Sequence, residues 1–141
     1  MVTRGASIRR QSPDPDWPVE IPGVAELREL AGLDEDWDTY GGLPPSHAAL
    51  NSALKLLRTV HERCGGEADS AGVPYSVSPL ATGGVEAEWR ASDRLIRVDI
   101  GPEGELDFLV RRDINGHREY TERHGSSVQA VLTELRGVLA G

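Results

Sequence analysis

The chain has one cysteine, Cys64, among its 141 residues, which excludes an internal disulfide and makes a reducing compartment the simplest setting. It has one lysine, Lys55; every other basic residue is an arginine, a bias of composition rather than of chemistry. Aromatic residues make up only 5%, so each large ring is a candidate anchor. No apolar run approaches the ~20 residues a membrane helix needs, and the first residues lack the apolar stretch of a secretory signal. A cytoplasmic location is expected. Basic residues are the minority, 15 against 23 acids, for a net charge of −8. Neutralising phosphates takes a basic surface, so direct nucleic-acid binding is not expected, whereas a basic protein partner suits this charge.

Catalytic signatures are missing as well. The sequence contains no G-x-S-x-G elbow, no P-loop, no G-x-G-x-x-G after a strand and no H-E-x-x-H. It therefore reads as non-enzymatic, with no cofactor and no metal assigned. Two weaker patterns fall short of sites. Asp34, Asp36 and Asp38 match positions 1, 3 and 5 of a calcium loop, but Thr39 replaces the required glycine and Pro45 the required glutamate. His61 and Cys64 have the i, i+3 spacing of two zinc ligands, yet the other ligands are missing, so a buried thiol and a boundary histidine are expected instead.

What is present is a hydrophobic periodicity that changes along the chain. Residues 1–22 are expected to form a flexible N-terminal arm. Arg4, Arg9 and Arg10 precede Ser12-Pro13-Asp14-Pro15-Asp16-Trp17-Pro18, where the prolines forbid a helix. Trp17 interrupts this polar run as a docking residue, for the folded domain or for a partner. Residues 23–141 are expected to form a single α+β domain. In Gly23–Leu33, Leu27, Leu30 and Ala31 share one face of a short helix, with Gly32 as its stop. Ser46 is placed to cap a second helix with the stripe Leu50, Ala53, Leu54, Leu57 and Val60, ended by Gly65-Gly66. Glu67–Pro74 is expected to be a loop.

From Tyr75 the period becomes two. Strands are expected over Tyr75–Leu80, around Val85-Ala87-Trp89, around Ile96-Val98-Ile100, around Leu106-Phe108-Val110, and as a weak edge over His117–Glu122. The connections are short, Asn115-Gly116 being the strongest hairpin signal, so neighbours must run antiparallel. One face is aliphatic with Trp89 and Phe108; the other carries Glu86, Glu88, Arg90, Arg97, Asp99 and Arg111 as a mixed-charge ladder. Ser126 or Ser127 then caps a last helix with Val128, Val131, Leu132, Leu135, Val138 and Leu139 on one side. The expected fold is an antiparallel four- to five-stranded meander with helices packed on one face, in the order helix, helix, strands, helix.

The most site-like stretch is Asp34-Glu35-Asp36-Trp37-Asp38-Thr39-Tyr40-Gly41-Gly42-Leu43-Pro44-Pro45-Ser46. Together with Gly83-Gly84-Val85-Glu86-Ala87-Glu88-Trp89 it resembles small uncharacterised bacterial proteins. These carry a Trp-Asp-Gly-Tyr-Gly-Ala motif, a Pro-containing link, a long helix and a Gly-Gly strand ending in Glu-Trp. The resemblance spans Leu27 to Val110 and departs at Thr39, where glycine is usual, and at Gly42, where alanine is usual. It implies the fold and brings no agreed activity. On it Trp37 is expected to pack against Trp89, making the stretch a clasp between helices and sheet.

Trp17, Asp36, Trp37, Asp38 and Tyr40 are the candidate partner or ligand contacts. The expected function is a non-enzymatic acidic interaction module: antitoxin-like, immunity-like, or an accessory subunit of a bacterial defence or mobile-element operon. Its partner would be a protein, basic in character, or a second copy joined through the edge strand. The rival is a small-molecule-binding domain or small enzyme with a cleft at Trp37 and Tyr40.

Overall fold

The computed structural model describes residues 17–64 and 72–140. The expected arm before Trp17, the Gly65-Gly66 helix stop and most of the Glu67–Pro74 loop lie outside the described residues. Three helices and five strands follow in the order α1 (Val24–Leu30), α2 (His47–Cys64), β1 (Ser76–Pro79), β2 (Val85–Ala91), β3 (Arg94–Ile100), β4 (Leu106–Ile114), β5 (His117–Ser126) and α3 (Val128–Leu139). The strands form one sheet in the order β1-β2-β3-β4-β5, each pair antiparallel, which is the expected meander.

The turns follow from their residues. Asn115 and Gly116, at φ 51 and 81, make a tight turn with both central residues left-handed, the conformation that suits the strand twist of a hairpin. Between β2 and β3 the loop is Ser92-Asp93, with Ser92 at φ 56. Both long helices begin at a serine: the Ser46 hydroxyl accepts the Ala49 N–H at 3.0 Å, and the Ser127 hydroxyl accepts the Ala130 N–H at 3.0 Å.

Alternation places Val85, Ala87, Trp89, Ile96, Val98, Ile100, Leu106, Phe108 and Val110 on one face, all buried. Against it α2 sets Ala49, Leu50, Ala53, Leu56, Leu57 and Val60, and α3 sets Val131, Leu132, Leu135 and Val138. Each fully buried side chain of this size contributes roughly 1.5–3 kcal/mol before conformational entropy is counted. α1 is shorter than expected, ending at Leu30, and packs between α2 and β1 through Val24 and Leu27. Trp17 and Ile21, from the expected arm, are half-buried and pack on this core, so Trp17 docks within its own chain.

β5 differs from the expectation and from its neighbours. It runs on past Glu122 to Ser126, and none of its side chains is buried. A bulge allows the extension: Leu106 faces Ser126 and Phe108 faces Arg123, so Asp107 stands opposite His124 and Gly125. The Asp107 carboxylate accepts the Gly125 N–H at 2.9 Å and lies 3.4 Å from His124 Nδ1. Among the described residues β5 packs chiefly on β4, and no helix makes an extensive contact with it.

Candidate functional site

The loop between α1 and α2 is built by its own carboxylates. Asp36, Thr39 and Gly41 adopt φ values of 61, 62 and 81, which folds the chain back so that the Asp36 N–H reaches Gly42 O at 2.8 Å. Asp36 Oδ1 accepts the Gly41 N–H at 2.6 Å; Asp38 Oδ1 accepts the N–H groups of Tyr40 at 2.9 Å and Gly42 at 2.8 Å. The Tyr40 N–H first, and then the Gly42 N–H, hold the Asp38 carboxyl below its ordinary value of 3.8. These two candidate ligands thus turn onto backbone of their own loop.

Trp37 is half-buried and donates its indole N–H to Leu43 O at 2.8 Å. It belongs neither to the core cluster nor to the half-buried residues packed against it. The expected Trp37–Trp89 contact is therefore corrected: Trp89 is fully buried, and its indole N–H goes to Gly72 O at 3.1 Å. The reason is local. Each indole needs an acceptor, and each finds a different carbonyl.

The clasp exists, one turn further along. Leu43 N–H donates to Ala81 O at 2.9 Å and pairs with Thr82, and Ser46 N–H donates to Gly83 O at 3.0 Å. The Ser46 hydroxyl donates to Pro102 O at 2.5 Å while capping α2, and Ser52 Oγ donates to Gly104 O at 2.8 Å. Residues 43–46 thereby tie the start of α2 to two turns of the sheet. Gly83 faces Pro44 and Leu43 in this seam, and Gly84, next to it, lies close against β3: a Cβ there would stand 2.2 Å from Ile100 O. Tyr40, at the tip of the loop, is 89% exposed.

A groove of about 280 Å³ lies elsewhere, lined by Val19, Ile21, Ala25, Val73, Tyr75 and Val77 among others. No residue of the Trp37 loop lines it. Sequence reasoning missed it because its walls come from two segments far apart in the chain, neither with a recognisable pattern. Tyr75 at its rim carries the Arg90 guanidinium 3.7 Å above its ring centroid.

The polar face of the sheet is the expected ladder. Glu88 is paired with Arg90, and Glu86 lies 3.2 Å from Arg97, which is also 3.8 Å from Asp99. Glu86 and Asp99 face each other across β2 and β3. Burial, and then the Asp99 charge, push Glu86 above its ordinary 4.5 against the pull of Arg97. Among the described residues no group of three or more His, Cys, Asp or Glu is placed to hold a metal ion. Cys64 is half-buried against the core, and His61 Nδ1 is buried without a partner among the described residues.

Among the described residues β5 forms a free sheet edge, ten residues long and exposed, with Tyr120 57% accessible. The opposite edge, β1, has four residues and ends in Pro79, which offers no N–H. Among the described residues, fold and surface define a two-layer α+β domain with one long exposed sheet edge. The chain matches no known family model, no curated protein and no solved structure at a significant level. Among the described residues no helix is long and apolar enough to cross a membrane.

Proposed function

We propose that the protein is a non-enzymatic interaction module that engages another polypeptide along the free edge of β5. One observation carries this reading: among the described residues β5 presents a ten-residue edge with no helix packed extensively on it and no buried side chain. Unpaired N–H and C=O groups along a strand are a template for strand addition, in which main-chain bonds supply affinity and alternate side chains supply selectivity. The carboxylates of the Trp37 loop bond to that loop's own backbone, which favours a structural role there over a ligand cleft. Of the candidate contacts Tyr40 and Asp36 are exposed, while Trp17, Trp37 and Asp38 are half-buried. An antitoxin-like, immunity-like or accessory role in a bacterial operon is the form of the proposal that fits the small size and net charge of −8.

The test is co-expression of the tagged protein with the products of its neighbouring genes, in parallel with Tyr120→Pro. Proline there removes a main-chain donor on the free edge while leaving the side facing β4 intact. A co-purifying partner lost in the variant supports the reading. A partner retained undiminished by the variant refutes the assignment to β5.

A further inference from the structure

We propose that β5 pairs with β5 of a second copy, antiparallel and centred on Tyr120, so that two sheets become one. This rests on the reading of β5 as the contact edge and names what occupies it.

The hairpin geometry selects the register. The Asn115-Gly116 turn closes on the Ile114–His117 pair, which is then the hydrogen-bonded pair; bonding alternates from there along the strands. Arg118, Tyr120 and Glu122 consequently direct their N–H and C=O groups away from β4. A bond on the other side of β4 agrees: the N–H of Asp113, which faces Arg118, goes to Asp93 O toward β3 at 2.9 Å. The regular run ends at the turn on one side and at the bulge opposite Asp107 on the other, which leaves His117–Arg123. A two-fold pairing that uses all of this run must be centred on Tyr120.

In that register the free groups meet each other. Tyr120 lies opposite the partner's Tyr120, and Arg118 lies opposite the partner's Glu122, twice by symmetry. Shifting by one residue would set Arg118 against Arg123 and Glu119 against Glu122, but it would also pair a free edge group with one already bonded to β4, so alternation forbids it. Glu122 has no ion-pair partner among the described residues, and Arg118, 62% exposed, lies 3.5 Å from Asp113 with its other side open. One facing is unfavourable, His117 against Arg123, and only when the imidazole is protonated; it falls at the two ends of the run. Among the described residues no helix packs extensively on β5, so a second sheet can approach its edge without meeting one.

Sedimentation velocity over a dilution series, with three samples beside the wild type, tests the pairing. Arg118→Glu sets carboxylate against carboxylate, and Glu122→Arg sets guanidinium against guanidinium; each should raise the dimer dissociation constant by about tenfold or more. Mixing the two variants restores opposite charges at both contacts, and the mixture should dimerise although neither component does. In the wild type, the amides of Arg118, Tyr120 and Glu122 should gain exchange protection as concentration rises, while those of Glu119 and Thr121 stay protected throughout. A wild type that remains monomeric, or a mixture that behaves as its separate components do, overturns the inference. If the wild type is monomeric but Tyr120→Pro still releases a co-expressed partner, the β5 edge survives as the contact and only its self-pairing falls.

Discussion

Replacing Thr39 by glycine should stabilise the protein, because Thr39 holds a left-handed backbone at φ 62 that its side chain disfavours. The left-handed region costs an L residue roughly 1–2 kcal/mol, and a β-branched side chain belongs at the upper end. Two terms oppose the gain. Glycine adds about 0.4–1 kcal/mol of conformational freedom to the unfolded chain. The exposed bond from Thr39 Oγ1 to Asp38 O, 2.6 Å long, is lost, and such a bond is worth about 0.5 kcal/mol. The net expectation is a gain of about 0.5 kcal/mol, or roughly 2 °C in Tm for a domain of this size. Two companions isolate the cause. Thr39→Ala keeps the strained angle and loses the hydroxyl, so it should be neutral or slightly destabilising. Gly41→Ala, at φ 81 with nothing within 4 Å of the added Cβ, should cost about 1 kcal/mol from backbone angle alone. Urea denaturation with unchanged m-values reads all three. If Thr39→Gly fails to gain, or Thr39→Ala gains as much, the backbone angle is not the source of strain and the reasoning fails.

Gly84→Ala should be among the most damaging single-methyl additions, by about 2–4 kcal/mol, because its Cβ would stand 2.2 Å from the backbone oxygen of Ile100, which cannot rotate away. A denaturation midpoint close to wild type would show that the seam between Gly84 and β3 is not as close as described. The two perturbed carboxylates should act with opposite signs on acid stability. The lowered Asp38 contributes stability that is present above 3.8 and lost as pH falls through its folded value, so Asp38→Asn should flatten the acid limb. The raised Glu86 binds its proton more tightly when folded, so its contribution is present below 4.5 and lost as pH rises through its folded value. Glu86→Gln should therefore gain stability relative to wild type toward neutral pH, and a loss there would mean that the Arg97 pair outweighs burial and Asp99.

The sheet was legible because its signals are local. Val85-Ala87-Trp89 and Ile96-Val98-Ile100 alternate cleanly, Asn115-Gly116 fixes a hairpin, and Ser46 announces a helix by the bond it makes three residues on. What could not be read depends on partners distant in the chain. The last strand is expected to end at Glu122, yet Asp107, eighteen residues before Gly125, supplies the acceptor that carries β5 across a bulge. Trp37 and Trp89 looked like packing partners because both are large, but the carbonyls of Leu43 and Gly72 receive their indole N–H groups. Leu56 is fully buried although it lies outside the expected α2 stripe, because periodicity does not say how wide a face the sheet will cover. Among the candidate contacts, residue type alone could not tell that Trp17 faces the core and Tyr40 faces water.

The two edges of the sheet show why β5, and not the aromatic loop, is the feature to follow. An edge is usually blunted by shortness, by proline, or by a covering element, and β1 has the first two with α1 packed beside it. β5 has none of these. Among the described residues its protection is the charges Arg118, Glu119, Glu122 and Arg123 and, at its far end, the bulge opposite Asp107. Charge protects an edge only where like meets like. Alternation prohibits the pairings that set Arg118 against Arg123, and the permitted pairing centred on Tyr120 sets Arg118 against Glu122. The same residues that would clash with a copy set one residue out of register therefore accept a copy centred on Tyr120.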